Sequence, residues 1–165
     1  MKAELMDVAI HEGLYQTIKI MYSFEKSSLE DEDFQNFLYN TFGNEYKTRV
    51  IIQNNIVSFL RFVQTWVNQN LQYQNDEYDE TIISPRNIIK QNFRIGDCDD
   101  FSLLIKTILS FFNISSKYIL FSKTWGNFTH IAVIVENENK YYYLDGVRND
   151  FNRLPSNYKY YKILG

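Results

Sequence analysis

The spacing of apolar residues changes near residue 80. Before that point they recur every three or four positions, the period of a helix with one buried face. Leu5, Val8, Ala9, Leu14, Ile18 and Met21 predict a helix over residues 3–24, with Gly13 as a weak point. Residues 27–43, "SSLEDEDFQNFLYNTFG", predict a second helix, with acids in its first turn and Gly43 just past its end. The strongest helical signal covers residues 44–73. There Ile52, Ile56, Phe59, Val63 and Trp66 form one stripe, and Val50, Val57, Leu60, Val67 and Leu71 an adjoining one. A face that wide packs on more than one neighbour.

After residue 80 the elements shorten. Ser84 and Pro85 predict the cap and first position of a short helix. Asp97 is the natural N-cap of the next one, with Asp99 and Asp100 in the first turn, where the helix dipole favours them. Cys98, Phe101, Ile105, Ile108 and Phe112 share one face of that helix. Four runs then read as strands: residues 115–122, 129–137, 140–147 and 158–164. The pattern predicts a single α+β domain over residues 1–165. A mainly helical layer fills 1–80, and in the core of 81–165 the Cys-bearing helix packs on an antiparallel sheet of about four strands.

Composition narrows the function classes. Hydrophobic residues are 45% and charged residues 22%, as in ordinary globular domains, while two prolines and six glycines leave little room for long linkers. A net charge of −3 is no basic footprint, so nucleic acid is not an expected partner. The basic, aromatic segment 152–165 reads as an exposed edge strand. One cysteine excludes an internal disulfide and any site needing several thiolates, and no cofactor or metal is expected. No signal-like segment opens the chain and no apolar run reaches the length of a membrane span, so a soluble, cytoplasmic protein is expected. Abundant Asn, Ile, Lys, Tyr and Phe, with AT-rich codons, point to a low-GC bacterium or its phage. In the second case the protein would be virion-associated.

Cys98 sits among three carboxylates. A thiol must be activated to react, and nearby negative charge works against that. The strands offer a remedy. A hairpin turning on Asn137-Glu138, or on residues 136–139, sets His130 opposite Asp145, Ala132 opposite Tyr143 and Ile134 opposite Tyr141. Directly opposed residues have Cβ atoms about 4.5–5.5 Å apart. An imidazole beside the thiol can take its proton, a carboxylate fixes the imidazole tautomer, and the N–H groups of the helix start can stabilise an oxyanion. Cys98 is therefore expected to react only as an ion pair with His130. Asp97, Asp99 and Asp100 read as capping rather than as a metal site, because successive helical side chains point about 100° apart. His11 has no comparable context and reads as structural or exposed.

"GDCDDFSLLIKTIL" (96–109), "THIAVIV" (129–135) and "YYYLDGV" (141–147), in this order, resemble the transglutaminase-like superfamily within the papain-like cysteine hydrolase fold. Residues 62–95 also resemble the lead-in of its phage and bacterial members. The resemblance spans residues 60–147 and leaves 1–55 unexplained. It implies Cys98 as nucleophile, His130 as general base and acid, and Asp145 as orienting carboxylate. The substrate would be a peptide or protein amide, transferred through a thioester to water or to an amine. Ala132 stands where the family usually has an aromatic. A papain-like site often adds a donor several residues before the cysteine, and Gln91 and Asn92 have that spacing. Trp125, just before the His130 strand, is a candidate cleft wall or else a cover for a core edge. The rival reading is a phage connector, neck or tail component that uses this fold as scaffold, with other virion subunits as partners.

Overall fold

The computed structural model describes residues 4–5, 12–43, 52, 54–75, 81–91 and 94–164. Along them run β1 (Glu4–Leu5), α1 (Glu12–Leu29), α2 (Glu32–Leu38), α3 (Ile56–Asn70), β2 (Gln72–Tyr73), α4 (Pro85–Lys90), β3 (Ile95–Gly96), α5 (Cys98–Phe111), β4 (Lys117–Ser122), β5 (Phe128–Asn137), β6 (Lys140–Leu144) and β7 (Tyr160–Leu164).

The helix α5 lies at the centre. The single apolar face expected for it is too narrow a description, because every residue from Asp100 to Leu109 is buried. Helices α1, α3 and α4 cover one side and the sheet the other. Ser102, Lys106 and Thr107 are buried with the apolar residues and each has a partner. Ser102 Oγ donates to the Ile131 carbonyl of β5 (3.0 Å), and Thr107 Oγ1 donates to the Leu103 carbonyl (2.7 Å). Lys106 Nζ lies 3.1 Å from Glu25 of α1, whose carboxylate also accepts from Ser110 (2.6 Å). A buried charge without such partners would be prohibitive.

The sheet has the strand order β1-β7-β4-β5-β6. Its last four strands are antiparallel, as expected, and two-residue β1 adds to β7 in parallel. Strand β7 is therefore not the edge that the sequence suggests. One sheet face, with Ile131, Val133, Val135 and Leu144, joins the main core against α5. The other, with Ile119, Phe121, Ala132 and Ile134, is covered by Leu154 and Tyr158 of the segment before β7. Ala132 is thus core under that cover.

The hairpin register differs by two residues from expectation. Its turn is Glu138-Asn139, both at positive φ (53° and 62°), and Val133 pairs with Leu144, Val135 with Tyr142 and Asn137 with Lys140. Positive φ at both central residues is the primed turn that suits twisted hairpins, and Asn tolerates it well. The expected register would have set Lys140 against buried Val135, whereas the observed one leaves it at the tip.

The helical boundaries also moved. Gly13 sits in the first turn of α1, which runs to Leu29, and Leu5 is in strand β1. Asp31 then caps α2 by accepting the Phe34 N–H (2.9 Å), so Ser27 to Leu29 belong to the first helix. Gly43 closes a π-turn, Tyr39–Gly43, rather than following a helix end. Helix α3 stops at Asn70, and Tyr73 pairs with Gly96 in the small β2-β3 ladder. Val57 is 37% exposed and breaks its stripe. Val8, Ala9, His11 and Val50 lie outside the described residues. Among those described, no helix is long and apolar enough to cross a membrane.

Candidate active site

Asp97 starts α5 as a capping box. Its carboxylate accepts the N–H groups of Asp99 (3.1 Å) and Asp100 (3.4 Å), while the Asp100 carboxylate accepts the Asp97 N–H (3.0 Å). Asp100 also accepts the Ile83 N–H (2.7 Å), which ties the approach to α4 onto the start of α5. Gly96 makes this possible, since a Cβ there would lie 2.8 Å from Asp100 Cβ. Cys98 is left as the first helical residue. Two of the amides expected for an oxyanion, those of Asp99 and Asp100, are committed to the cap.

The Cys98 sulfur is partly buried, with Asp99 Oδ1 at 3.9 Å. Burial pushes the thiol well above its ordinary range, and the charges of Asp99, Asp97 and Asp145 push the same way. The Ile131 backbone N–H opposes them by hydrogen bonding to the sulfur. Cys98 and Ser102, one turn apart, thus both address Ile131, the residue after His130.

His130 follows a β-bulge. Phe121 pairs with His130 but Ser122 with Phe128, so Thr129 is an extra residue. Bulges re-aim the next side chain, and they recur beside active sites. The His130 ring lies against Tyr158 (centroids 5.8 Å apart, planes 15°) and Phe121 (6.0 Å, 27°). Its Nε2 is 2.5 Å from Asp145 Oδ2, and the two side chains are only 13% and 6% exposed. Asp145 follows the last residue of β6. Its other oxygen accepts the Val147 N–H (3.1 Å).

The loop after Asp145 is held from below by α3. Gln64 is 2% exposed. Its oxygen accepts the Asp145 N–H (3.0 Å), and its nitrogen donates to the carbonyls of Asp150 (2.9 Å) and Arg148 (3.3 Å). Asn68, one turn on, donates to the Gly146 carbonyl (3.1 Å).

Of the other candidates, Gln91 is exposed and ends α4 through a backbone bond to Asn87 (3.1 Å). Asn92 lies outside the described residues. Trp125 is 64% exposed and stands edge-on to Tyr160 (5.6 Å). Sequence reasoning missed three neighbours of the site. Tyr73 pairs with Gly96, and its phenol is pushed up by burial and then by the charges of Cys98, Asp97, Tyr158 and Asp99. Tyr158 had no signal beyond an aromatic-rich tail. Gln64 did have one, because it interrupts the apolar line Leu60–Val67–Leu71 at a helical interval. Among the described residues no three His, Cys, Asp or Glu side chains group to hold a metal ion.

Residues 47–152 match the sequence model of a transglutaminase-like domain. No curated protein matches the chain in sequence. Among solved structures it is similar to a candidate cysteine protease from Cytophaga hutchinsonii, with 18% identity, a TM-score of 0.54, and coverage of 79% of this chain and 42% of that one. A candidate protease from Parabacteroides distasonis gives 12% identity and a TM-score of 0.54, over 76% of this chain and 25% of that one. EGTA-treated LapG from Legionella pneumophila gives 18% and 0.53, over 84% and 78%. The chain thus spans less than half of the first two proteins, and at these identities the likeness is one of fold.

Proposed function

Since the chain belongs to the transglutaminase-like domain family, we propose that it is a cysteine hydrolase or acyltransferase acting on amide bonds, with Cys98, His130 and Asp145 as its triad. The observation that carries this reading is the buried 2.5 Å contact of His130 Nε2 with Asp145, on the strand residue next to the one that the Cys98 sulfur addresses.

With Nε2–H donated to Asp145, Nδ1 is the basic nitrogen of the ring. It takes the proton of the Cys98 thiol, and the sulfur attacks the amide carbonyl carbon. The C–N bond breaks as the imidazolium returns the proton to the leaving amine. The thioester that remains is opened by water, giving an acid, or by a second amine, giving a new amide, and the sulfur leaves as thiolate to recover its proton. The first-turn amide not committed to the cap is that of Cys98 itself, which is therefore the helix's oxyanion donor. The substrate is a peptide or protein amide.

Burial and the surrounding acids keep the resting thiol protonated, so the reactive form requires the imidazolium as counter-ion. A thiol-directed, activity-based acylating probe tests the reading. Because Cys98 is the only cysteine, every label reports on it. Native protein is expected to be labelled at neutral pH, with His130→Ala and Asp145→Ala labelled much more slowly. Equal labelling of native protein and His130→Ala overturns it.

A further inference from the structure

We propose that Gln64 is a positioning residue: it fixes Asp145 against His130 from a helix that carries none of the reacting groups. The proposal rests on the triad reading for its catalytic meaning. Its geometry stands apart from that reading.

Asp145 lies beyond the last residue of β6, where the ladder no longer holds the backbone. Something else must set the direction of its carboxylate. Within the loop, Oδ1 accepts from Val147 N–H and the Asp145 carbonyl accepts from Arg148 N–H (3.1 Å), which makes a compact turn. These local bonds shape the turn and leave its position on the protein open. Gln64 supplies the position. One buried side chain engages the loop at both ends, accepting from Asp145 N–H and donating to the Arg148 and Asp150 carbonyls. All three of these hydrogen bonds point into one six-residue span, across more than 80 positions of sequence. Gly146 seats the turn, since a Cβ there would come within 2.8 Å of Val67 Cγ1 on the same helix. Asn68 adds the bond to the Gly146 carbonyl. A glutamine is suited to this task because it alone among uncharged side chains of its length both accepts and donates. An apolar side chain of similar volume would fill the space and leave one N–H and two carbonyls without it.

The signature is the proton on His130 Nε2. A short hydrogen bond to a carboxylate moves such a proton far downfield in the NMR spectrum, and the chain has only two histidines, so assignment is direct. Native protein is expected to show this resonance and His130→Ala to lack it. Gln64→Met is expected to lose or broaden it while keeping native dispersion elsewhere, and to slow Cys98 alkylation by roughly tenfold or more, as small misplacements of catalytic groups do. Leu109→Ala, which opens a cavity in α5 away from the site, is the control for lost stability and is expected to keep the resonance. If Gln64→Met does not fold, Asn68→Ala carries the test, with a weakened or shifted resonance expected. An unchanged resonance in the folded Gln64→Met, or in Asn68→Ala should that be the folded variant, overturns the proposal. If alkylation ignores His130 altogether while the resonance still depends on Gln64, the catalytic reading fails and the positioning one stands.

Discussion

His130 Nε2 lies 2.5 Å from Asp145 Oδ2 although the hairpin that carries them never sets the two residues opposite each other. The register is displaced by an even number of residues from the one that would. Both side chains therefore keep the same face, and the diagonal reach of a carboxylate is enough to close the gap. Replacing Asp145 by Asn keeps an acceptor for the Val147 N–H and removes the charge that steadies an imidazolium. The variant is expected to melt close to the native temperature and to lose iodoacetamide reactivity at pH 6 by roughly 100-fold or more. A native rate would show that the carboxylate's charge plays no part.

The acids around Cys98 make a second, opposite prediction. Negative charge raises a thiol's pKa, so taking a charge away must increase the thiolate at a given pH. In a His130→Ala background, where no counter-ion remains, alkylation is expected to stay slow through pH 8. Adding Asp99→Asn, which removes the carboxylate 3.9 Å from the sulfur, is expected to speed it several-fold. Stopped alkylation followed by mass spectrometry measures both. A slower double variant would contradict the assignment of Asp99 as an opposing charge.

Lys106 and Glu25 form an ion pair at about 10% side-chain exposure, with the ammonium also over the rings of Tyr22 and Tyr118 at 5.5 and 5.7 Å. Breaking such a pair leaves one charge buried without its partner, at a cost of about 3–5 kcal/mol. Urea unfolding of Lys106→Met should show a loss of that order. Combining it with Glu25→Leu should recover much of it, because the stranded charge is then gone. A double variant as unstable as the sum of both singles would mean that the charges do not interact.

Asp100 predicts a pH dependence of stability. Burial pushes its carboxyl up, to about 7, against the pull of the Ile83 and Asp97 N–H groups. In an unfolded chain it titrates near 3.9. Between these values the folded protein binds the proton and the unfolded chain does not, so the group's contribution is fully present at the acid end and is lost as pH rises toward 7. Melting temperature should fall across that window in native protein and fall less in Asp100→Asn. Parallel curves would assign the dependence to other groups.

Much of the architecture is legible before any coordinates, for identifiable reasons. The N-cap positions Ser84 and Asp97 depend on neighbouring backbone alone, and the α5 start and the four antiparallel strands follow from local pattern. The turn at Glu138-Asn139 did not, because turn chemistry competed with the need to keep Lys140 away from Val135. Nor did the bulge at Thr129, which exists only in relation to β4. At the site, Cys98, His130 and Asp145 announce themselves by type and order. Tyr158 does not, since its contact with His130 crosses roughly 30 residues of chain, and Gln64 shows only as a polar break in an apolar line, with its partners roughly 80 residues away. Residues such as these are selected by what folds against them, and a linear pattern carries little of that.

Helix α5 is enclosed from Asp100 to Leu109, and only its two ends, Cys98-Asp99 and Ser110-Phe111, approach the surface. Its amide protons can meet solvent only when the surrounding layers separate, so they should be among the last in the molecule to exchange with deuterium. The sulfur at its tip is then mounted on the slowest-opening element of the protein. Geometry at the thiol endures for as long as the whole molecule stays folded.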